Sequence, residues 1–180
     1  MDILHNKVLA LLISLAVIAV FSVVGGGATL TEMHATTLNT FHTGGITGDV
    51  AEVAAQAHNI TVIAGRYLPH DYPGLTDLNA ARSAALSALN FGGSPREIYT
   101  AYRWMLASSH ALRSTLDGMG LSLQDQNLLA GCIAEIHNRV ILIENSPYNL
   151  AAFRFNNELR RFPASVFVRI FGIAPLELFE

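Results

Sequence analysis

Residues Val8–Val24 read VLALLISLAVIAVFSVV, a run without a charge in which only Ser14 and Ser22 are polar. As a helix this run rises about 25 Å, close to the hydrocarbon thickness of a bilayer, and Gly25–Leu30 lengthens it. Both serine hydroxyls can bond back to a carbonyl one turn earlier, so neither opposes a helix in lipid. The expectation is a transmembrane helix, with Val8, Leu12, Leu15, Ile18, Phe21 and Val24 in the span. Ala10, Ala16 and Ala19 allow close helix packing, although the span holds no Gly-x-x-x-Gly motif. A secretory signal is the competing reading, because Lys7 precedes the run and Gly26-Gly27-Ala28 offers small residues after it. The run exceeds a usual signal core, which favours an uncleaved anchor. Lys7 before the span and Glu32 after it favour a cytoplasmic N-terminus with the domain outside. The three glycines are expected to loosen the exit from the membrane.

Working outward, 180 residues accommodate one domain plus an anchor. The composition, 51% apolar and 14% charged, is that of a packed chain and not a disordered one. Lys7 is the sole lysine, and the ten arginines are spread from Arg66 to Arg169 with one tight pair, Arg160-Arg161. No basic face forms, and with a net charge of −3 nucleic acid is excluded as a partner. Cys132 is alone, so neither an intramolecular disulfide nor a cysteine-based metal site is available.

Beyond the span the pattern is helical throughout. Thr29–Thr43 is polar and threonine-rich, and Gly44-Gly45 with Gly48 reads as a linker or a break. Asp49–Tyr67 carries apolar residues at helical spacing and is stopped by Pro69 and Pro73. Leu75–Asn90 places Leu78, Ala81, Ala85 and Leu89 on one face. Ser94-Pro95-Arg96-Glu97 combines an N-cap serine, a first-position proline and a third-position glutamate, and opens a helix to Asp117. Gly118 and Gly120 then supply residues that tolerate positive φ. Ser122 opens the next helix, with Asp125 placed to bond back to the cap, and Leu129, Ile133, Ile136, Val140 and Ile143 form its core seam. Ser146-Pro147 starts a shorter helix ending near Phe162-Pro163, and Val166–Phe171 is a last amphipathic stretch. No strand-type alternation is sustained. The reading is all-α: an N-terminal transmembrane anchor (1–30), a Gly/Thr-rich connector (31–47) and an antiparallel helical bundle (48–180).

Asn138-Arg139, Glu144, Tyr148-Asn149, Phe155-Asn156, Arg161-Phe162-Pro163, Phe171-Gly172 and Phe179-Glu180 follow one another in an order and spacing that resembles the C-terminus of the LemA family of bacterial membrane proteins. The likeness is specific over Glu135–Glu180 and looser over His58–Ala85, through His70 and Ala81-Arg82. Between Thr29 and Ala57 there is none. Two departures stand out: Ser146-Pro147 interrupts a helix that the family runs into its Tyr-Asn pair, and Gly44-Gly45 interrupts the helix after the span. The resemblance implies an anchored helical bundle in a bacterial membrane with no established enzymatic activity. Some relatives, a magnetosome-membrane protein among them, shape or organise membranes.

A search for chemistry finds no catalytic, cofactor-binding or metal-binding set. His58, His70, His110 and His137 fall on four segments without the i, i+4 spacing of a helical metal pair, and Glu135 and His137 lack the Glu-x-x-His pattern of a di-iron bundle. Ser108-Ser109-His110 lacks a nucleophile-elbow context, and Gly25-Gly26-Gly27 is followed by no phosphate-binding lysine. The C-terminal region is the more informative one, with six phenylalanines in the 27 residues from Phe153 to Phe179 and arginines interleaved. Tyr148, Asn149, Phe155, Asn156, Arg161, Phe162, Phe167, Phe171 and Phe179 either close the bundle as core and capping residues or form an apolar interface. The functional expectation is a non-enzymatic scaffold that contacts the lipid bilayer and self-associates as a homo-oligomer or larger assembly. The alternative is an anchored binding module that recruits a soluble protein partner or small ligand in an interhelical groove.

Overall fold

The computed structural model describes residues 7–43 and 45–180, with side chains from Leu9 onward; the Val8 side chain and Gly44 lie outside the described residues. Among these residues the structure is helical with no strand: α1 Lys7–Thr43, α2 Ile46–Ala64, α3 Pro73–Asn90, α4 Pro95–Asp117, α5 Leu123–Glu144, α6 Pro147–Leu159 and α7 Ala164–Phe171. Two compact units divide the chain. One comprises residues up to Leu38 with Leu150–Leu176, and the other comprises Asn39–Asn149 with Glu177–Glu180.

The larger unit is built around α2, which packs against α3, α4 and α5, while α3 also packs on α4. Its core is the set of apolar positions that the helical spacing selects: Val50, Val53, Ala57 and Ile60 from α2, Leu78, Ala81 and Ala85 from α3, Ile98, Met105 and Leu112 from α4, and Leu129 and Ile136 from α5. The α4 start matches the sequence reading. The Glu97 N–H donates to Ser94 Oγ at 3.3 Å, and the Ser94 N–H donates to Glu97 Oε2 at 2.8 Å.

Other sequence expectations are revised. The Gly25–Gly27 triplet does not loosen the chain. It lies inside α1, where the Thr29 and Thr31 hydroxyls donate to the Gly25 and Gly27 carbonyls at 3.0 and 2.9 Å. The connector expected over 31–47 is accordingly helical as far as Thr43. The break is confined to the junction with α2, where Gly45 adopts φ 100°, a left-handed conformation that a Cβ would oppose. Gly118 caps α4 with an ordinary negative φ of −82°, so its tolerance of positive φ is unused. On α5, Ile133 and Val140 are only half-buried, and Cys132 joins Leu129, Ile136 and Ile143 in the buried stripe. Ser122 caps α5 as expected, accepting from the Asp125 N–H at 3.1 Å. The Asp125 carboxylate bonds back to the cap by accepting from the Ser122 hydroxyl at 3.0 Å, not from the cap amide. It accepts from Tyr67 Oη at 2.5 Å and pairs with Arg66, and the Ser122 N–H donates to Tyr67 Oη at 3.0 Å instead. A hydroxyl and a guanidinium outcompete one backbone amide for that carboxylate.

Candidate functional site

Three features stand apart from ordinary core packing: the surface of α1, the seating of α7 and the tail, and the open grooves of the larger unit.

Among the described residues, one helix is long and apolar enough to cross a membrane. At 37 residues α1 rises about 55 Å, more than a bilayer's hydrocarbon core requires. Its most apolar window has a mean hydropathy of 2.6 and is wholly unburied. Leu12, Leu15, Ile18, Phe21 and Val24 are all exposed, Phe21 by 74%. From Val23 the pattern changes. Val23, Gly26, Gly27, Leu30, His34, Thr37, Leu38 and Phe41 are covered while their neighbours are open, which is the stripe of a helix packed on one side.

Phe167 and Phe171 of α7 pack on that stripe. Their rings lie over Gly26 and Gly27, and a Cβ on either glycine would overlap the facing ring. Gly25, one position earlier, faces open space. Phe155 of α6 meets the His34 ring edge-on at 5.5 Å.

The two asparagines of the Tyr-Asn…Asn pattern hold the tail. Asn156 accepts from the Leu176 N–H and donates to the Leu176 carbonyl, both at 2.8 Å. Asn149 does the same for Phe179, at 2.8 and 2.9 Å. A carboxamide is the side chain that can satisfy both backbone groups of an extended residue at once. The Tyr148 hydroxyl donates to the Glu177 carbonyl at 2.7 Å. Phe179 enters an aromatic cluster with Phe41, Tyr99 and Tyr102 at ring separations of 5.1 to 5.9 Å, and Tyr148 joins through Phe41 at 5.0 Å. Burial pushes the Tyr102 and Tyr148 phenols up to about 12, with Glu144 and Glu177 respectively adding to the rise.

The residues expected to form an apolar interface therefore divide. Tyr148, Phe155, Phe167 and Phe179 are buried within the chain, the first of the two readings open to them. Asn149 and Asn156 are occupied by the tail. Phe162, Phe171 and Arg161 remain exposed, as do Phe153, Val166 and Ile170. Arg161 pairs with Glu158 at 2.7 Å.

Grooves open on the larger unit. One, of about 980 Å³, runs between α3 and α4 over Ala84, Ala88 and Ala101, with Phe91 and Trp104 among its walls. The Trp104 indole N–H donates to Asp77 Oδ1 at 3.1 Å, and Ser108 bonds the other oxygen of that carboxylate. The second, about 490 Å³, brings together Arg103, His110, Arg113 and His137 of α4 and α5 above Leu106, Ile133 and Val140. His58 and His70 share a smaller recess with Arg66. The sequence reading left these four histidines on separate segments. Pairing them depends on which helices meet, and no local spacing reports that. Among the described residues no three His, Cys, Asp or Glu side chains are placed to hold a metal ion.

Comparison with protein-family models, curated proteins and solved structures finds no match to this chain.

Proposed function

We propose that the protein is a membrane-anchored, non-enzymatic helical scaffold, in which α1 crosses the bilayer and the packed helices form an antiparallel bundle that assembles with further copies. The observation that carries this reading is the open surface of α1 from Leu11 to Phe21, uncharged, with Ser14 its one polar side chain, and exposed throughout among the described residues. In water such a surface is costly at about 25 cal/mol per Å², and lipid removes that cost. The LemA likeness of Glu135–Glu180 supports the same layout and a bacterial membrane. Lys7 supports a cytoplasmic N-terminus.

The test is twofold. Membranes carrying the full-length protein are washed with urea and high salt, and the protein is expected to stay with the membrane. Its mass and shape in mild detergent, from light scattering and electron microscopy, are expected to show regular multi-copy particles. A monodisperse monomer would overturn assembly and leave the second reading, an anchored module that recruits a partner. That reading is favoured by one observation, the large alanine-floored groove walled by Phe91 and Trp104.

A further inference from the structure

The placement of α7 carries an inference that rests on the anchored reading and deepens it. Gly26 lies two residues beyond Val24, the last residue of the apolar run, so the Phe167 ring meets α1 within about 3 Å of rise from the end of that run. The Phe171 ring sits one residue further along. These contacts fix α7 level with the boundary between the span and the rest of the helix. About 100° round the helix from those rings is an apolar, open stripe: Val166 and Ile170 are exposed, and Phe162, just before the helix, is 84% exposed. Arg154, Arg160, Arg161 and Arg169 are interleaved and exposed. Residues 150–176 thus hold four arginines against the single acid Glu158, a net +3 within a chain of net −3.

We propose that α7 and the Arg160–Pro163 corner form an interfacial element lying in the headgroup layer beside α1. Phe162, Ile170 and Val166 enter the acyl boundary, and the arginines engage the phosphates of anionic lipids. An apolar face flanked by guanidinium groups is the composition that binds such a boundary, because burial of the rings and attraction to anionic headgroups act together. Continuity with the lipid-facing surface of α1 favours bilayer over protein as the occupant. A two-fold contact with a second copy would set these arginines against their own equivalents, which is unfavourable.

The test uses the full-length chain in vesicles of phosphatidylcholine containing phosphatidylglycerol. Single cysteines at Ile170 and Phe162 carry a nitroxide. Cys132 is buried and its thiol is pushed up by burial, so the unsubstituted protein serves as the labelling blank. A label at Ile18 marks the lipid interior, and free label in buffer marks water. The expected result is that both sites lose accessibility to a water-soluble nickel reagent and gain accessibility to oxygen, at a depth shallower than Ile18. Gly27→Leu, which displaces the Phe171 ring, should return the Ile170 label toward water, whereas Gly25→Ala should not. Changing Arg154, Arg160 and Arg169 together to glutamine, or omitting phosphatidylglycerol, should raise nickel accessibility. Water-like accessibility at both sites in protein that resists urea extraction would overturn the proposal while leaving the anchor intact. Shielding from both reagents with dipolar broadening between copies would overturn it in favour of a protein interface. Extraction by urea would instead overturn the anchored reading on which it rests.

Discussion

Phe21 and Phe41 lie on the same helix, twenty residues apart, and have opposite surroundings. Phe21 is 74% exposed amid other exposed apolar side chains, whereas Phe41 is wholly buried against Tyr148 and Phe179. Residue type and secondary structure are identical, so neither sets the difference. Near Phe41 the chain supplies apolar partners from distant segments. Around Phe21, among the described residues, the side chains of α1 are exposed and largely apolar. On the anchored reading one helix serves two media, and the exposure of α1 changes at Val23 from all-round to a one-sided covered stripe.

Replacing each phenylalanine with alanine tests this contrast most severely. Phe41→Ala should cost about 3–5 kcal/mol, seen as a marked fall in melting temperature in detergent, because the ring leaves a cavity that its aromatic neighbours cannot close. Phe21→Ala should leave the melt nearly unchanged, since the side chain is 74% exposed. A comparable fall for both would mean that Phe21 is buried in an assembly, and the contrast would fail.

A smaller effect is expected where the tail is held. Asn156→Leu removes one donor and one acceptor that together satisfy Leu176 and should cost about 1–3 kcal/mol. The readout is faster carboxypeptidase trimming of residues 173–180. Asn156→Asp keeps the acceptor and loses the donor, so it should fall between the two.

The smallest effect is confined to acid. The Asp125 carboxyl is held below its usual range, first by the hydrogen bond from Tyr67 and then by Ser122 and Arg66. A carboxylate with a lowered folded-state pKa stabilises fully above its unfolded value, about 3.9, and that contribution is lost as pH falls through the lower folded value. Stability below about pH 4 should therefore decline less steeply in Asp125→Asn than in the parent, measured by denaturant midpoints across that range. Phe41→Ala should shift the whole profile without changing its acid slope.

Signals that act over one to four residues were legible in the sequence. Ser94-Pro95…Glu97 placed a helix start to the residue, because cap, proline and glutamate act on backbone groups of the same turn. The apolar run from Val8 marked the helix long and apolar enough to cross a membrane for the same reason: length and lack of charge are properties of one segment. Asp49–Tyr67 located α2 but was three residues late at each end, since fraying ends carry little periodic signal. The candidate site was legible only as a list of residues. Density of phenylalanine marked the C-terminal region, yet density does not say which rings turn inward.

The sequence by itself therefore determined most of the helices, the serine caps of α4 and α5, the apolar run of α1 and the chemical character of the C-terminal segment, because each is encoded within a few turns of chain. Tertiary structure alone decided that Asp125 answers Tyr67, 58 residues away, and not the amide of its own cap. It also assigned Asn149 and Asn156 to the tail, divided Phe155 and Phe167 from Phe162 and Ile170, and turned the glycines at 26 and 27 from an expected loosening into a seat for two rings. The physical reason is common to all of them: a carboxylate, a carboxamide or an aromatic ring takes its best partner within reach, and only the fold determines what is within reach.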